Sequence, residues 1–311
     1  MPILLDIVLP VFGLIAIGWI AGRRGVVAEA GMKGLNDFVF FFAIPALLFR
    51  AMAKEGLPAG ADARVLVSYF GGCYASFGLG LLAARLLFRL PLTELAVFGM
   101  GAMFSNTVLL GLPLIGAAYG DRGLVTLLLI IAFNSLLLFT LTTLVYELGR
   151  GQGTRLGATL AETLRALAKN PIILSLFAGL AWHAAGLGLP QGLDRFLGFL
   201  GGAAAPTALF ALGVSLTGFR LAGDLPQAGL LVAFKLLVHP AITWVLASRV
   251  FGLDPLVVAV ATVVAALPTG SNVYMFAARY GTYERRAASA ILLSTALAVV
   301  TVSLLLAWLP R

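Results

Sequence analysis

The chain has 311 residues, of which 61% are hydrophobic and only 11% are charged, and its formal net charge is +8. Soluble domains carry about 45–50% apolar and about 25% charged residues, so this composition excludes an ordinary water-soluble fold. The positive charge does not indicate nucleic-acid binding, because the basic residues are distributed between apolar segments along the whole chain.

Apolar runs along the chain predict ten transmembrane helices, because about 20 mostly apolar helical residues span the hydrocarbon core. Seven runs are free of charged residues, namely 65–84, 95–120, 123–146, 170–193, 196–219, 255–278 and 287–310. Three more contain or adjoin a charged residue, namely 3–22, 35–53 and 227–251. The sequence therefore predicts an all-α membrane protein.

The loops between these helices differ in their content of lysine and arginine, which indicates an orientation. With the N-terminus outside, thirteen basic residues lie inside, namely Arg23, Arg24, Lys33, Arg85, Arg89, Arg150, Arg155, Arg165, Lys169, Arg220, Arg279, Arg285 and Arg286. Seven lie outside, namely Arg50, Lys54, Arg64, Arg122, Arg195, Arg249 and Arg311. The bias predicts that both termini lie on the outer side of the membrane. The expected membrane is a plasma membrane of the bacterial inner-membrane type.

A polar connection divides the chain into two halves of five helices. We expect a first repeat at 1–147, a cytoplasmic linker at 148–169 and a second repeat at 170–311. Because five is odd, the second half must enter the membrane from the opposite side. Inverted repeats of this kind are typical of secondary transporters.

Prolines recur at matching places in these two halves. The second helix of each half has a proline followed four residues later by phenylalanine, at Pro45 and Pro206. The fourth helix of each half also has a proline within its apolar run, at Pro113 and Pro268. The recurrence agrees with the topology that the charge distribution predicts.

The fourth and ninth helices combine proline, glycine and hydrogen-bonding side chains within their apolar runs. Proline removes a backbone donor, and glycine lets the chain leave helical geometry. If both helices break, the N-terminal ends of their second halves favour a bound anion. The expected binding residues are Asn106, Thr107, Pro113, Pro268, Thr269, Gly270, Ser271 and Asn272. Ordinary kinked helices, whose polar groups bond to neighbours, remain the alternative.

Ionisable residues inside a membrane are candidates for function. Lys235 and His239 lie four residues apart and share a helix face, so both are candidates for coupling or support. Four roles are open for Lys235: it binds a structural carboxylate, it binds backbone carbonyls, it replaces a coupling cation near the broken helices, or it reaches the inner membrane surface. Asn134 is a further candidate, with bonding to a neighbouring helix as its alternative. Asn36 and Asp37 are expected to begin and cap the second helix, because the helix dipole favours an acidic residue near an N-terminus.

At these residues the chain resembles the auxin efflux carrier family, with its plant auxin carriers and bacterial organic-acid carriers. The matching segments follow in family order, namely Pro10-Val11-Phe12, Leu35-Asn36-Asp37-Phe38, Pro45-Ala46-Leu47-Leu48-Phe49, Ser105-Asn106-Thr107, Gly111-Leu112-Pro113, Lys235-Leu236, His239-Pro240 and Leu267-Pro268-Thr269-Gly270-Ser271-Asn272. The resemblance implies that helices 4 and 9 cross at mid-membrane. It also implies a scaffold of helices 1, 2, 6 and 7 that often dimerises, and a moving unit of helices 3–5 and 8–10.

The resemblance further implies a small organic anion as the substrate, such as an auxin-like compound, malate or malonate, carried by an elevator mechanism. A proton or sodium ion is the candidate coupling partner. Two features depart from the plant members, because the central loop is short and the third helix lacks an acidic partner for Lys235.

The sequence leaves three alternative functions. A sodium-coupled carrier of the bile-acid symporter type shares the transporter class, and a channel is the second alternative. A membrane-embedded enzyme would need clustered catalytic groups, but the chain has two histidines and one cysteine, and no motif of a hydrolase or metalloprotease. No enzyme activity, cofactor or metal site is expected.

Overall fold

The computed structural model describes residues 4–56, 63–151, 165, 168–222 and 225–310. Most of the expected linker at 148–169 lies outside these residues. Every regular element in the described part is a helix, in agreement with the all-α prediction. Seven of these helices are long and apolar enough to span a membrane.

The first half of the chain contains five helical segments, α1 (Asp6–Arg23), α2 (Ala30–Lys54), α3 (Arg64–Phe88), α4 (Leu92–Met103) and α5 (Thr107–Arg150). Helix α5 is sharply kinked, because Gly120 has φ 61° and ψ −158° within it. Glycine tolerates this conformation, which separates a short first arm of α5 from a long second arm. The sequence predicted these two arms as parts of separate membrane helices.

The second half contains six segments, α6 (Pro171–Ala184), α7 (Gln191–Leu216), α8 (Leu225–Val250), α9 (Pro255–Ala266), α10 (Asn272–Tyr280) and α11 (Glu284–Trp308). The sixth helix is shorter than the run 170–193 suggested, since the chain turns at Gly186 with φ 66°. Helix α7 begins directly after Pro190, five residues before the run at 196–219 that predicted it.

Four helices contain a widened π-helical turn just before a proline. The turns at Leu4–Val8, Val39–Ala43, Thr107–Gly111 and Phe234–Val238 each end two residues before the ring, at Pro10, Pro45, Pro113 and Pro240 respectively. Proline donates no backbone hydrogen bond, and its ring clashes with the carbonyl of the preceding turn. The wider turn relieves this clash while the helix continues.

The two short helices α4 and α9 lie in the interior of the protein. Every residue of α4 from Leu95 to Met103 is buried, and so is every residue of α9 from Val258 to Ala266. A helix that is apolar on all sides is stable only when other helices surround it. Because protein encloses both, the chain can leave helical geometry at their ends without exposing backbone to lipid.

The helices pack in two groups. Helix α1 packs most closely against the second part of α7, and α2 packs against α6 and the first part of α7. The other group consists of α3, α4, α5, α8, α9, α10 and α11, where α4 packs against α3 and α5 and α8 packs against α11. The breaks after α4 and after α9 both lie in this second group.

Candidate binding site at the two broken helices

The two breaks meet and are joined by backbone hydrogen bonds. Ser105 and Thr269 form an antiparallel β-bridge between the segment after α4 and the segment after α9. The Asn106 amide donates to the Pro268 carbonyl at 2.9 Å, and the Gly270 amide donates to the Phe104 carbonyl, also at 2.9 Å. Each break therefore supplies donors and acceptors to the other, which satisfies backbone groups that the helices leave unpaired.

Side chains bind the carbonyl groups at the end of α4. The Thr269 hydroxyl donates to the Gly101 carbonyl at 3.2 Å, and the Ser76 hydroxyl donates to the Ala102 carbonyl at 3.1 Å. The Thr269 amide in turn donates to the Ser294 hydroxyl at 3.1 Å. Hydroxyl groups on α3 and α11 thus hold the crossing from both sides.

The hydroxyl of Thr269 offers a test of this arrangement. We expect Thr269→Val, which keeps the shape of the side chain, to lower the free energy of unfolding by about 1–3 kcal/mol, because the buried Gly101 carbonyl loses its donor. Thermal unfolding in detergent measures the change. The control is Thr301→Val on α11, whose hydroxyl bonds only to Leu297 of its own helix. Equal unfolding temperatures for the two variants would contradict the proposed support.

Lys235 is fully buried beside the end of α9, with 0% exposure. Its amine donates to the Ala265 carbonyl, which lies in the last turn before the break, and contacts His239 Nδ1 at 3.2 Å. The other ring nitrogen of His239 lies 3.3 Å from Cys73 Sγ. Among the described residues, no carboxylate forms an ion pair with Lys235. The alternative that Lys235 reaches the membrane surface is wrong, whereas carbonyl binding is what the geometry shows.

A cavity of about 570 Å³ lies at the crossing and is bounded by α2, α5, α6, α7 and α10. This volume falls in the usual range of about 300–1,000 Å³ for small-molecule sites. Its polar lining includes Asn36, Asp37, Asn106, Asn134, Ser271 and Asn272. Aromatic and aliphatic side chains from the same helices form the rest of the wall.

The structure brings most of the expected binding residues to this cavity. Those that line it are Asn106, Thr107, Gly270, Ser271, Asn272 and the candidate support residue Asn134. Pro113, Pro268 and Thr269 are not part of the lining, and they act on the shape of the two helices instead. Lys235 and His239 also lie outside the lining, at the carbonyl end of α9.

The predicted capping role of Asn36 and Asp37 is wrong. Regular helix already starts at Glu29, before both residues, and both line the cavity. The error arose because charged and small residues at 29–34 hide the first turns of the helix in the hydropathy pattern. Because the helix starts earlier than the sequence predicted, these two residues lie within it and not at its first positions. Their side chains therefore line the cavity and do not cap the helix.

The cavity presents hydrogen-bond donors but no basic side chain within the described lining, where Asp37 is the single charged residue. The helical turns that begin at Thr107 and at Asn272 both start at the crossing. Neither Asn106 nor Ser271 caps its own helix with its side chain, and both residues line the cavity. Helix N-termini carry partial positive charge, which favours an anionic group at this place.

Comparison with known proteins assigns the chain to a family. The family described as "Membrane transport protein" matches residues 3–306, almost the whole chain. The chain belongs to the auxin efflux carrier family. It is a membrane transporter of this family, as the sequence motifs and the apolar helices indicated.

Two relatives illustrate the range of this family. A Rhizobium meliloti protein named "Putative malonate transporter" is 32% identical over 300 residues, which cover 96% of this chain and 94% of the relative. Auxin efflux carrier component 8 of Arabidopsis thaliana is 21% identical, with 94% of this chain and 93% of the relative covered. The similarity spans both halves of the chain in each case.

Proposed function

We propose that the protein carries a small organic anion, of the malonate or malate type, through the cavity at the crossing. The observation that carries this proposal is that two helix starts and the amide side chains of Asn106 and Asn272 meet at one cavity. The name of the rhizobial relative points to the same class of substrate. A carboxylate oxygen is an acceptor, which fits the donors of Asn106 and Asn272.

The proposed architecture is two inverted five-helix repeats. If α5 is divided at Gly120, the segments make ten membrane crossings, with α4 and the first arm of α5 as the fourth and with α9 and α10 as the ninth. The breaks then occupy the same place in both halves. This equivalence supports a shared origin for the two binding segments.

We also propose an elevator motion, in which the group containing α3–α5 and α8–α11 moves against the group containing α1, α2, α6 and α7. The packing into these two groups supports the division, and the scaffold group is the candidate dimer surface. Asn170 lines the cavity and directly follows Lys169 on the face that the charge distribution predicts to be cytoplasmic. The cavity therefore corresponds to an inward-open state in this proposal.

Uptake of radiolabelled malonate into proteoliposomes tests the proposal. We expect Asn106→Ala and Asn272→Ala each to raise the KM for malonate uptake about tenfold, since one hydrogen bond to a charged group contributes about 1.5–3 kcal/mol. The matched control is Ser175→Ala on α6, whose hydroxyl bonds to its own helix outside the cavity. An unchanged KM in both asparagine variants would exclude the crossing as the binding site.

The same vesicles distinguish a carrier from the alternatives. We expect saturable uptake with counterflow, whereas conductance without saturation would indicate a channel. We further expect uptake to persist when sodium is replaced by choline, because the Lys235 amine already binds the Ala265 carbonyl near the crossing. Loss of uptake without sodium would favour the bile-acid symporter type of coupling.

A further inference from the structure

Three fully buried polar side chains form a cluster at the carbonyl ends of α4 and α9. They are Cys73 on α3 and Lys235 and His239 on α8, each 0% exposed, and none of them lines the cavity. Helix α4 ends at Met103, and α9 ends at Ala266. The last carbonyl groups of a helix have no partner within it, so side chains at this place can serve as their donors.

The contacts of this cluster join the two helix ends. At the end of α9, the Lys235 amine donates to the Ala265 carbonyl and lies 3.2 Å from His239 Nδ1. On the other side of the ring, His239 Nε2 lies 3.3 Å from Cys73 Sγ. At the end of α4, the Cys73 thiol donates to the Met103 carbonyl at 3.9 Å. A continuous series of contacts therefore runs from one break to the other through a single imidazole ring.

The chemistry of these groups gives the series one direction. The carbonyl end of α9 carries partial negative charge and favours the charged form of Lys235. An ammonium group has donors but no acceptor, so His239 Nδ1 must accept from it, and a doubly protonated ring would place an N–H against this cation. A neutral ring with an acceptor at Nδ1 has its proton on Nε2, which donates to the Cys73 sulfur. The thiol proton is then left for the Met103 carbonyl.

We propose, on the basis of the function proposed above, that His239 is a positioning residue, which joins the ends of both broken helices as a neutral ring protonated on Nε2. The two helix ends lead directly into the β-bridge between Ser105 and Thr269. The binding segments that carry Asn106 and Asn272 follow this bridge. Holding the two ends together keeps these segments at the spacing that a bound anion requires.

The tautomer of His239 tests the hydrogen-bond chain directly, because the protein has only two histidines. Solid-state ¹⁵N NMR of protein labelled with ¹⁵N-histidine, in lipid bilayers, distinguishes the two neutral tautomers and the charged ring. The variant His183→Gln leaves only the signals of His239. We expect the tautomer protonated on Nε2, and we expect Lys235→Met to shift the Nδ1 resonance, because Nδ1 loses its donor. A ring protonated on Nδ1, or a charged ring, would overturn the inference.

The KM for malonate uptake separates a positioning role from a purely structural one. Loss of folded protein lowers the maximal rate but leaves the KM of the remaining carrier unchanged. We expect His239→Leu to raise the KM at least about tenfold, because Lys235 and Cys73 each lose a partner and the binding segments shift. His239→Gln has both an acceptor and a donor in its amide, so its KM should stay within about threefold of the unaltered value.

The same change at the other histidine is the matched control. His183→Leu removes a ring whose Nδ1 lies 3.3 Å from the Ala53 carbonyl on α2, outside the cavity lining. Its KM should not change. An unchanged KM in His239→Leu, or an equal rise in His239→Leu and His239→Gln, would overturn the positioning role.

A double substitution tests whether Cys73 and His239 act in one chain. Cys73→Ala removes the partner of Nε2 and should raise the KM about tenfold by itself. Combined with His239→Leu it should add little, because both changes interrupt the same chain. Independent effects would multiply to about a hundredfold, and that result would contradict the chain.

These results also distinguish the inference from the proposed function. If malonate is taken up and the histidine variants keep their KM, the positioning role falls and the carrier function stands. If the unaltered protein takes up no malonate, the proposed function falls, and the tautomer still decides the hydrogen-bond chain. The NMR measurement on the protein with His239 intact decides even if His239→Leu does not fold.

Discussion

Replacing Lys235 with methionine is expected to reduce substrate uptake at least about tenfold and to lower the unfolding temperature. Methionine keeps the apolar stem but has no donor for the Ala265 carbonyl at the end of α9. A buried carbonyl without a donor costs about 1–3 kcal/mol, and 1.4 kcal/mol corresponds to a factor of ten in an equilibrium. Because Ala265 lies in the last turn before the break, the loss would displace the segment that carries Gly270 and Ser271.

The control for this prediction is the same substitution at Lys54. Lys54 lies at the protein surface, where its amine pairs with Asp194 at 2.9 Å beside a second pair from Arg50. Exposed ion pairs contribute about 0–1 kcal/mol, so Lys54→Met should leave uptake almost unchanged. Lys235→Arg should not restore uptake, because the guanidinium group is larger and the site is fully buried. Normal uptake by Lys235→Met would show that the Ala265 contact is dispensable.

The local features of the fold were predictable because proline and glycine act on the backbone at their own positions. Pro113 predicts a disturbed helix from the sequence alone, and the π-helical turn at Thr107–Gly111 lies just before it. Pro268 and Gly270 predict the break after α9 for the same reason. The expectation that Asn106 and Asn272 lie together also agrees with the structure, since both line one cavity.

The tertiary contacts of the site were not predictable in this way. Lys235 binds the backbone carbonyl of Ala265. Every residue has a backbone carbonyl, so the residue type of Ala265 does not identify it as the acceptor. Of the roles that the sequence left open for Lys235, only the structure selects the bond to a backbone carbonyl. Asn134 was expected to bond a neighbouring helix, yet its oxygen lacks a partner among the described residues. Only the packing of α5 against the crossing reveals that this amide faces a cavity.

The contact between α1 and α7 gives the second prediction of large effect. Two glycines bring the helices into backbone contact, because a Cβ at Gly18 would lie 2.1 Å from the Phe210 oxygen, and one at Gly213 would lie 2.0 Å from the Ile15 oxygen. We expect Gly18→Ala and Gly213→Ala each to lower the free energy of unfolding by about 1–3 kcal/mol, since the backbones must separate. Thermal unfolding in detergent measures this change.

Gly13→Ala is the matched control for both variants, because it lies on the same helix α1 and a Cβ there would meet nothing within 4 Å. Alanine is favoured over glycine in a helix by up to about 1 kcal/mol, so this variant should unfold at the same or a higher temperature. The second part of α7 also carries Ser215 into the cavity wall. Separating α7 from α1 should therefore weaken malonate binding, whereas Gly13→Ala should not. If all three variants unfold and bind alike, then the two helices do not require backbone contact, and the cavity wall does not depend on it.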